Sequence, residues 1–184
     1  MAKKILLAVG VLVVGILAAL LIVRYQTKSF SPESSAAFQD GDLNITIFYN
    51  RPFKKGRVIF GGLVPYGKTW RTGANEATVF ETNKDLLIGE KTLKAGKYSL
   101  WTVPNEQSWT VVFNSTIPNW GIDVMNNGEA ARDPGHDVIV LDVPVMWTDK
   151  EFEQFTISVE KADDMLELVL AWDKTLVAIP LTRQ

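Results

Sequence analysis

Between residues 56 and 78 the chain reads GRVIFGGLVPYGKTWRTGANEAT, a span that holds Arg71, Asn75 and Glu76 beside the aromatic Tyr66 and Trp70. An arginine grips a carboxylate or phosphate through two parallel N–H bonds. Asparagine both donates and accepts, and glutamate accepts or takes up a proton. Aromatic faces beside such groups suit a sugar or a planar ligand, and Trp120, in the loop Pro118-Asn119-Trp120-Gly121, is a further candidate of that kind. The set points to non-catalytic binding of a small anionic or sugar-like ligand, or of a protein partner. It also admits a hydrolase or lyase with Glu76 as base and Arg71 as anion anchor, which requires a Glu76 of raised pKa at a pocket mouth. The bland alternative is scaffolding, with Arg71 paired to Glu76, Asn75 holding a turn and Trp70 in the core. The span has neither phosphate-loop spacing nor a nucleophile elbow, so no catalytic residue is assigned.

Other chemistry is sparse. His136 is the only histidine, and it sits in Arg132-Asp133-Pro134-Gly135-His136-Asp137. With Asp133, Asp137 and Asp123 it offers one imidazole among carboxylates, thin for zinc and too irregular for a calcium loop. A surface turn is expected there, and no metal or cofactor is assigned. The chain has no cysteine, which excludes disulfides, thiolate chemistry and lipid attachment through an N-terminal cysteine.

The elements that must position the candidate set are turns and strands. Gly61-Gly62 permits unusual backbone angles, Pro65-Tyr66-Gly67 reads as one turn and Thr72-Gly73-Ala74-Asn75 as another. Around them the hydrophobic period is two. Leu43, Ile45, Ile47 and Tyr49 alternate with polar residues, as do Phe155, Ile157 and Val159, and Leu166, Leu168, Leu170 and Trp172 form a third such series. Further strands are expected at 57–60, 78–82, 84–88, 91–93, 97–103, 109–114, 137–143 and 175–181. Turns are expected between them, one at Asp173-Lys174. Short strands at such spacing predict an all-β antiparallel sandwich or flattened barrel over residues 42–184. Trp101, Trp109 and Trp172 fall at inward positions, whereas Trp120 and Trp147 fall in loops.

Ahead of this domain, residues 5–23 form an uncharged apolar run of nineteen. Its helical length is roughly 28 Å, about one hydrocarbon core. A cleavable signal has a shorter apolar core and a nearby small-residue site. Residues 1–24 are therefore expected to be a retained single-pass anchor in the lipid bilayer of the cytoplasmic (inner) membrane, with a cleaved signal as the alternative. Residues 25–41 are expected to be a linker. Lys3, Lys4 and the amino terminus narrowly outweigh Arg24 and Lys28, which puts the C-terminal domain on the periplasmic or exterior side. Beyond residue 28 lie 15 of the 19 basic residues and all 21 acids, a net −6. Such a domain is unlike a nucleic-acid binder, so no nucleic-acid partner is expected. Yet residues 43–75 carry six bases and no acid: Arg51, Lys54, Lys55, Arg57, Lys68 and Arg71. On one face these make either a local positive field for a ligand or a solvated loop near anionic lipid.

Several stretches resemble a bacterial family named for its unknown function, domain of unknown function 2911. They are Arg51-Pro52, Lys55-Gly56-Arg57, Phe60-Gly61, Leu63-Val64-Pro65-Tyr66-Gly67, Trp70-Arg71 and Gly73-Ala74-Asn75-Glu76-Ala77-Thr78. Ala95-Gly96-Lys97-Tyr98-Ser99-Leu100, Trp109-Thr110 with Phe113-Asn114, Asn119-Trp120-Gly121 and the Glu153…Phe155 segment continue the likeness in the same order. The resemblance covers about residues 40–184 and departs from the pattern at 126–136. It implies a secreted or membrane-anchored β domain and implies no activity.

Overall fold

The computed structural model describes residues 2–162 and 165–184. Helix α1 (Ala2–Phe30) is followed by β1 (Glu33–Asp40), β2 (Leu43–Asn50), β3 (Thr78–Thr82), β4 (Leu86–Ile88), β5 (Lys91–Leu93), β6 (Gly96–Val103) and β7 (Ser108–Asn114). After these come the short β8 (Ile122–Asp123) and β9 (Glu129–Ala130), a 3-10 turn at Pro134–His136, then β10 (Asp137–Pro144), β11 (Met146–Ala162) and β12 (Met165–Arg183). One large sheet runs β1-β2-β3-β6-β7-β10, a second runs β11-β12-β4-β5, and β8 pairs with β9 apart from both, all pairs antiparallel.

Alternation sets the faces. In β2, Leu43, Ile45 and Ile47 are buried while Asn44, Thr46 and Phe48 point outward. Phe80, Leu100, Val111, Phe113 and Ile139 extend that inner face across the first sheet. Leu86, Ile88, Phe155, Ile157, Leu168, Leu170, Val177 and Ile179 answer from the second, in one continuous core. The architecture is the expected antiparallel sandwich, and its sheets stay open rather than closing into a barrel.

The outer face of β6 and β7 is also covered. Trp101 and Val112 form a second, smaller cluster with Ala77, and Ala130 and Ala131 pack on it. The indole N–H of Trp101 donates to Ser99 Oγ at 2.7 Å, satisfying its one polar group. This cover brings the loop around Gly121 against the segment that follows Trp70.

Three local expectations are corrected. Residues 25–41 are not a linker. Nothing in them stops the helix before Pro32, whose ring disfavours helix at the preceding residue; α1 therefore continues to Phe30. Then β1 pairs with β2 along its whole length, from Glu33↔Asn50 to Asp40↔Leu43. Its inward side chains are mostly small, which is why the stretch reads as a linker. Residues 57–60 form no strand but a loop, bonded within itself from Val64 N–H to Ile59 C=O at 2.9 Å. Asp173-Lys174 is no turn. β12 passes straight through it, and the positive φ of Asp173 (55°) marks an irregularity where the β11 register shifts.

Candidate functional site

The expected cluster is split. Trp70 turns into the core. Its ring stacks on Trp172 at 5.9 Å and 19°, and meets Phe155 at 5.0 Å, Phe60 at 6.1 Å and Trp109 at 6.1 Å. Its indole N–H donates to Gly73 C=O at 3.0 Å, and its backbone exchanges two hydrogen bonds with Thr102, at 2.7 and 3.0 Å. Trp70 thus fixes the segment to β6, and the next residue, Arg71, is aimed by that fixed point.

Asn75 and Glu76 serve the end of α1. Asn75 is buried in a left-handed backbone conformation (φ 58°), and its Nδ2 donates to Ser31 C=O and to Asn50 Oδ1, both at 3.4 Å. Glu76 Oε2 accepts from Lys28 Nζ at 2.6 Å and from Asn50 Nδ2 at 3.0 Å. Lys28 also pairs with Glu33. Burial alone would raise the Glu76 carboxyl. The Lys28 ammonium, the backbone N–H and Asn50 outweigh it and hold the group below its ordinary value. The Arg71–Glu76 pair of the scaffolding alternative does not form.

A pH dependence follows from that direction. Glu76 is depressed in the folded state, so its contribution is full above its ordinary value of 4.5 and is lost as pH falls through the lower, folded value. Lys28→Met should lower the melting temperature of the detergent-solubilised chain at neutral pH. The gap to the wild type should shrink at acid pH; a gap constant down to full protonation of the carboxylates would refute the pairing.

Arg71 joins neither group, and its Nε has no hydrogen-bond partner among the described residues. It lines a cavity of about 510 Å³ with Phe30, Ser31, Lys55, Arg57, Lys68, Trp70 and Trp172 among the other walls. Among the described residues no acidic side chain lines it, and none of these four bases is ion-paired. Arg57 donates to the carbonyls of Lys54 (3.0 Å) and Phe53, and the Lys55 ammonium lies 4.5 Å from the centre of the Phe30 ring. Burial, with no compensating partner, lowers the Arg71 guanidinium below its ordinary value. Lys54, by contrast, is occupied by Asp173 at 2.7 Å and Glu151 at 2.8 Å.

Two buried side-chain donors lack any hydrogen-bond partner among the described residues, Arg71 Nε and Trp172 Nε1. Both belong to side chains that line this one cavity. Buried polar groups are nearly always satisfied, so an orphan needs a reason. Neither group can accept a hydrogen bond; what both lack is an acceptor. A second hollow of about 550 Å³, lined by Gly121, Glu129 and Arg132 among others, shares Pro65, Lys68, Thr69, Trp70 and Arg71 with the first. The Arg71 side chain stands between them.

Gly121 makes room for it. A Cβ at Gly121 would lie 2.3 Å from Arg71 Cδ and 2.8 Å from Arg71 Cβ, while Gly121 N–H donates to Asn75 C=O at 3.0 Å. Gly121→Ala should therefore cost about 1–3 kcal/mol by overpacking. Part of that loss should be recovered in an Arg71→Gly background, measured as a double-mutant cycle in denaturant; strict additivity would show that the two residues do not compete for space.

The remaining candidates lie elsewhere. Tyr66 lies across Gly61, where a Cβ would meet its ring at 2.7 Å, and it lines neither hollow. Trp120 lines a separate depression with Asp123, Asn126 and Arg132. Trp147 is exposed but lies in β11, paired with Thr175, rather than in a loop, whereas Trp101, Trp109 and Trp172 are buried. His136 Nδ1 lies 2.7 Å from Asp133 Oδ2, and Asp137 is held by Arg132 and Asn114; among the described residues no group of three or more ligand-type side chains converges. Sequence reasoning does not single out Trp172 and Gly121 for the site, and for neither is there a sequence signal. For Lys55, Arg57 and Lys68 the signal is the acid-free run of bases.

The family described as "Protein of unknown function (DUF2911)" matches residues 31–181. No curated protein and no solved structure matches the chain.

Proposed function

Since the chain belongs to the DUF2911 family of proteins of unknown function, we propose its role from the cavity: a non-catalytic, membrane-anchored module of the cell envelope that binds an anionic ligand there. Four bases on the walls of one cavity, none of them ion-paired among the described residues, carry this reading, and two side chains that line it, Arg71 and Trp172, each hold a buried donor without a partner there. An oxygen-rich anion supplies a partner for the Arg71 guanidinium, and Lys55, Arg57 and Lys68 supply the field that draws it in. Helix α1 is the anchor across the cytoplasmic membrane, and the domain stands on its outer side. A retained α1 agrees with the contacts of Lys28 and Ser31, which tie the end of the helix into the sandwich. A hydrolase or lyase with Glu76 as base finds no support, because Glu76 is engaged by Lys28 and its pKa is lowered rather than raised.

The test is a thermal-shift screen of the full chain in neutral detergent against inorganic phosphate, glycerol phosphate, acetate and glucuronate. A ligand at a hundred times its Kd adds about 2.7 kcal/mol, which for a chain of this size is a rise of roughly 5–10 °C. The rise should fall to about half or less in Arg71→Met. No rise with any anion, or the same rise in the variant, would overturn the proposal.

A further inference from the structure

The cavity opens beside the end of α1, and that position narrows the source of its ligand. Phe30 and Ser31, the last helical residue and its neighbour, line it. From Val23, the end of the uncharged run, to Phe30 is seven residues, roughly 10 Å of helical rise. The headgroup layer of a bilayer is about 5–8 Å deep on each side. There is no slack with which the domain could stand away from it. Arg51 N–H donates to Pro32 C=O at 2.9 Å, Asn75 reaches Ser31, and Lys28 reaches Glu76.

The surface around the mouth fits the same place. Val58 is 72% exposed, Phe30 60% and Leu63 47%, three apolar side chains set among Lys55, Arg57 and Lys68. Tyr25, 78% exposed one turn before the helix ends, is of the type that settles at a membrane–water boundary. Exposed apolar groups among bases, in a domain of net negative charge, make a surface suited to anionic lipid rather than to bulk water.

Resting on the anion-binding role proposed above, we infer that residues 55–68 form a lip that lies on the anionic bilayer surface, and that the cavity takes the phosphate of a lipid headgroup presented there. Arg71 receives the phosphate oxygens from below while Lys55 and Lys68 hold it at the rim. Val58 and Leu63 rest against the headgroup layer.

The full chain in nanodiscs of phosphatidylcholine, with or without phosphatidylglycerol at one part in three, distinguishes the sources. With phosphatidylglycerol, backbone amides of residues 55–71 should exchange about tenfold more slowly, as attraction by several bases near the surface requires. Lys68→Ala, which removes a side chain without hydrogen-bond partners among the described residues, should reverse most of this, and Arg71→Met should do the same. A parallel arm adds soluble glycerol phosphate to phosphatidylcholine discs. If it protects the same amides while phosphatidylglycerol does not, the lipid inference falls and the anion site stands. Should neither lipid nor glycerol phosphate protect them, the lipid inference falls, and the anion-binding role falls with it if the thermal-shift screen is negative as well. Equal protection in wild type and variants would show contact of the bare surface only, and would overturn the headgroup assignment.

Discussion

Replacing Arg71 by methionine is expected to make the ligand-free protein more stable while removing its binding. Arg71 Nε is buried without a partner, and the guanidinium is desolvated with nothing to offset it. An unsatisfied buried polar group costs about 1–3 kcal/mol. Methionine keeps the methylene stem that lies against Gly121 and removes the orphan. The melting temperature without ligand should rise by a few degrees, since about 1 kcal/mol is worth roughly 2–4 °C in a chain of this size. Binding should fall about 10–150-fold, the equivalent of losing hydrogen bonds between a charged group and an anion, about 1.5–3 kcal/mol. A gain in stability with a loss of binding is what a site held ready at the expense of the fold produces. Loss of stability in Arg71→Met, as for a bracing residue, would refute the assignment.

Trp70→Ala is expected to do the opposite. Four aromatic neighbours lie within about 6 Å of the ring. Truncating a core tryptophan costs about 3–5 kcal/mol, here a fall of roughly 6–20 °C in melting temperature without any ligand. Trp70→Phe should restore most of the packing but lack the donor to Gly73, a further loss of about 0.5–1.5 kcal/mol. If Trp70→Ala instead left stability intact and weakened only binding, the ring would be a ligand platform and the core assignment wrong. The adjacent residues 70 and 71 thus respond with opposite signs, because one anchors the segment and the other is presented by it.

The sandwich was largely legible from period-two alternation, because inward positions such as Leu43, Ile45 and Ile47 have no burial other than the facing sheet. Where side chains are small, as in Ser34, Ala36 and Ala37 of β1, the same backbone pairing leaves little trace in residue type. The loop 57–60 carries apolar residues for a different reason. Ile59 is buried under the sandwich while Val58 points out, so a strand-like pattern arises without a strand. The candidate site was legible in part. Composition located the bases and the glycine turns, but whether Arg71 meets Glu76 or a cavity depends on Lys28, a residue 48 positions before Glu76 that belongs to the helix. Trp172 reads as core, and it is core. Its orphaned N–H becomes visible only when every neighbour is known.

The contact between Arg71 and Gly121 has a consequence for descent. Positions 71 and 121 lie far apart in the chain, yet a Cβ at 121 claims the space that the Arg71 stem occupies. A lineage that abandons the arginine for a small residue releases position 121, whereas one that first gains a side chain at 121 loses both stability and the charge. Substitutions should therefore be accepted in a fixed order, 71 before 121. Among relatives, a residue other than glycine at 121 should be found only where 71 has already ceased to be arginine.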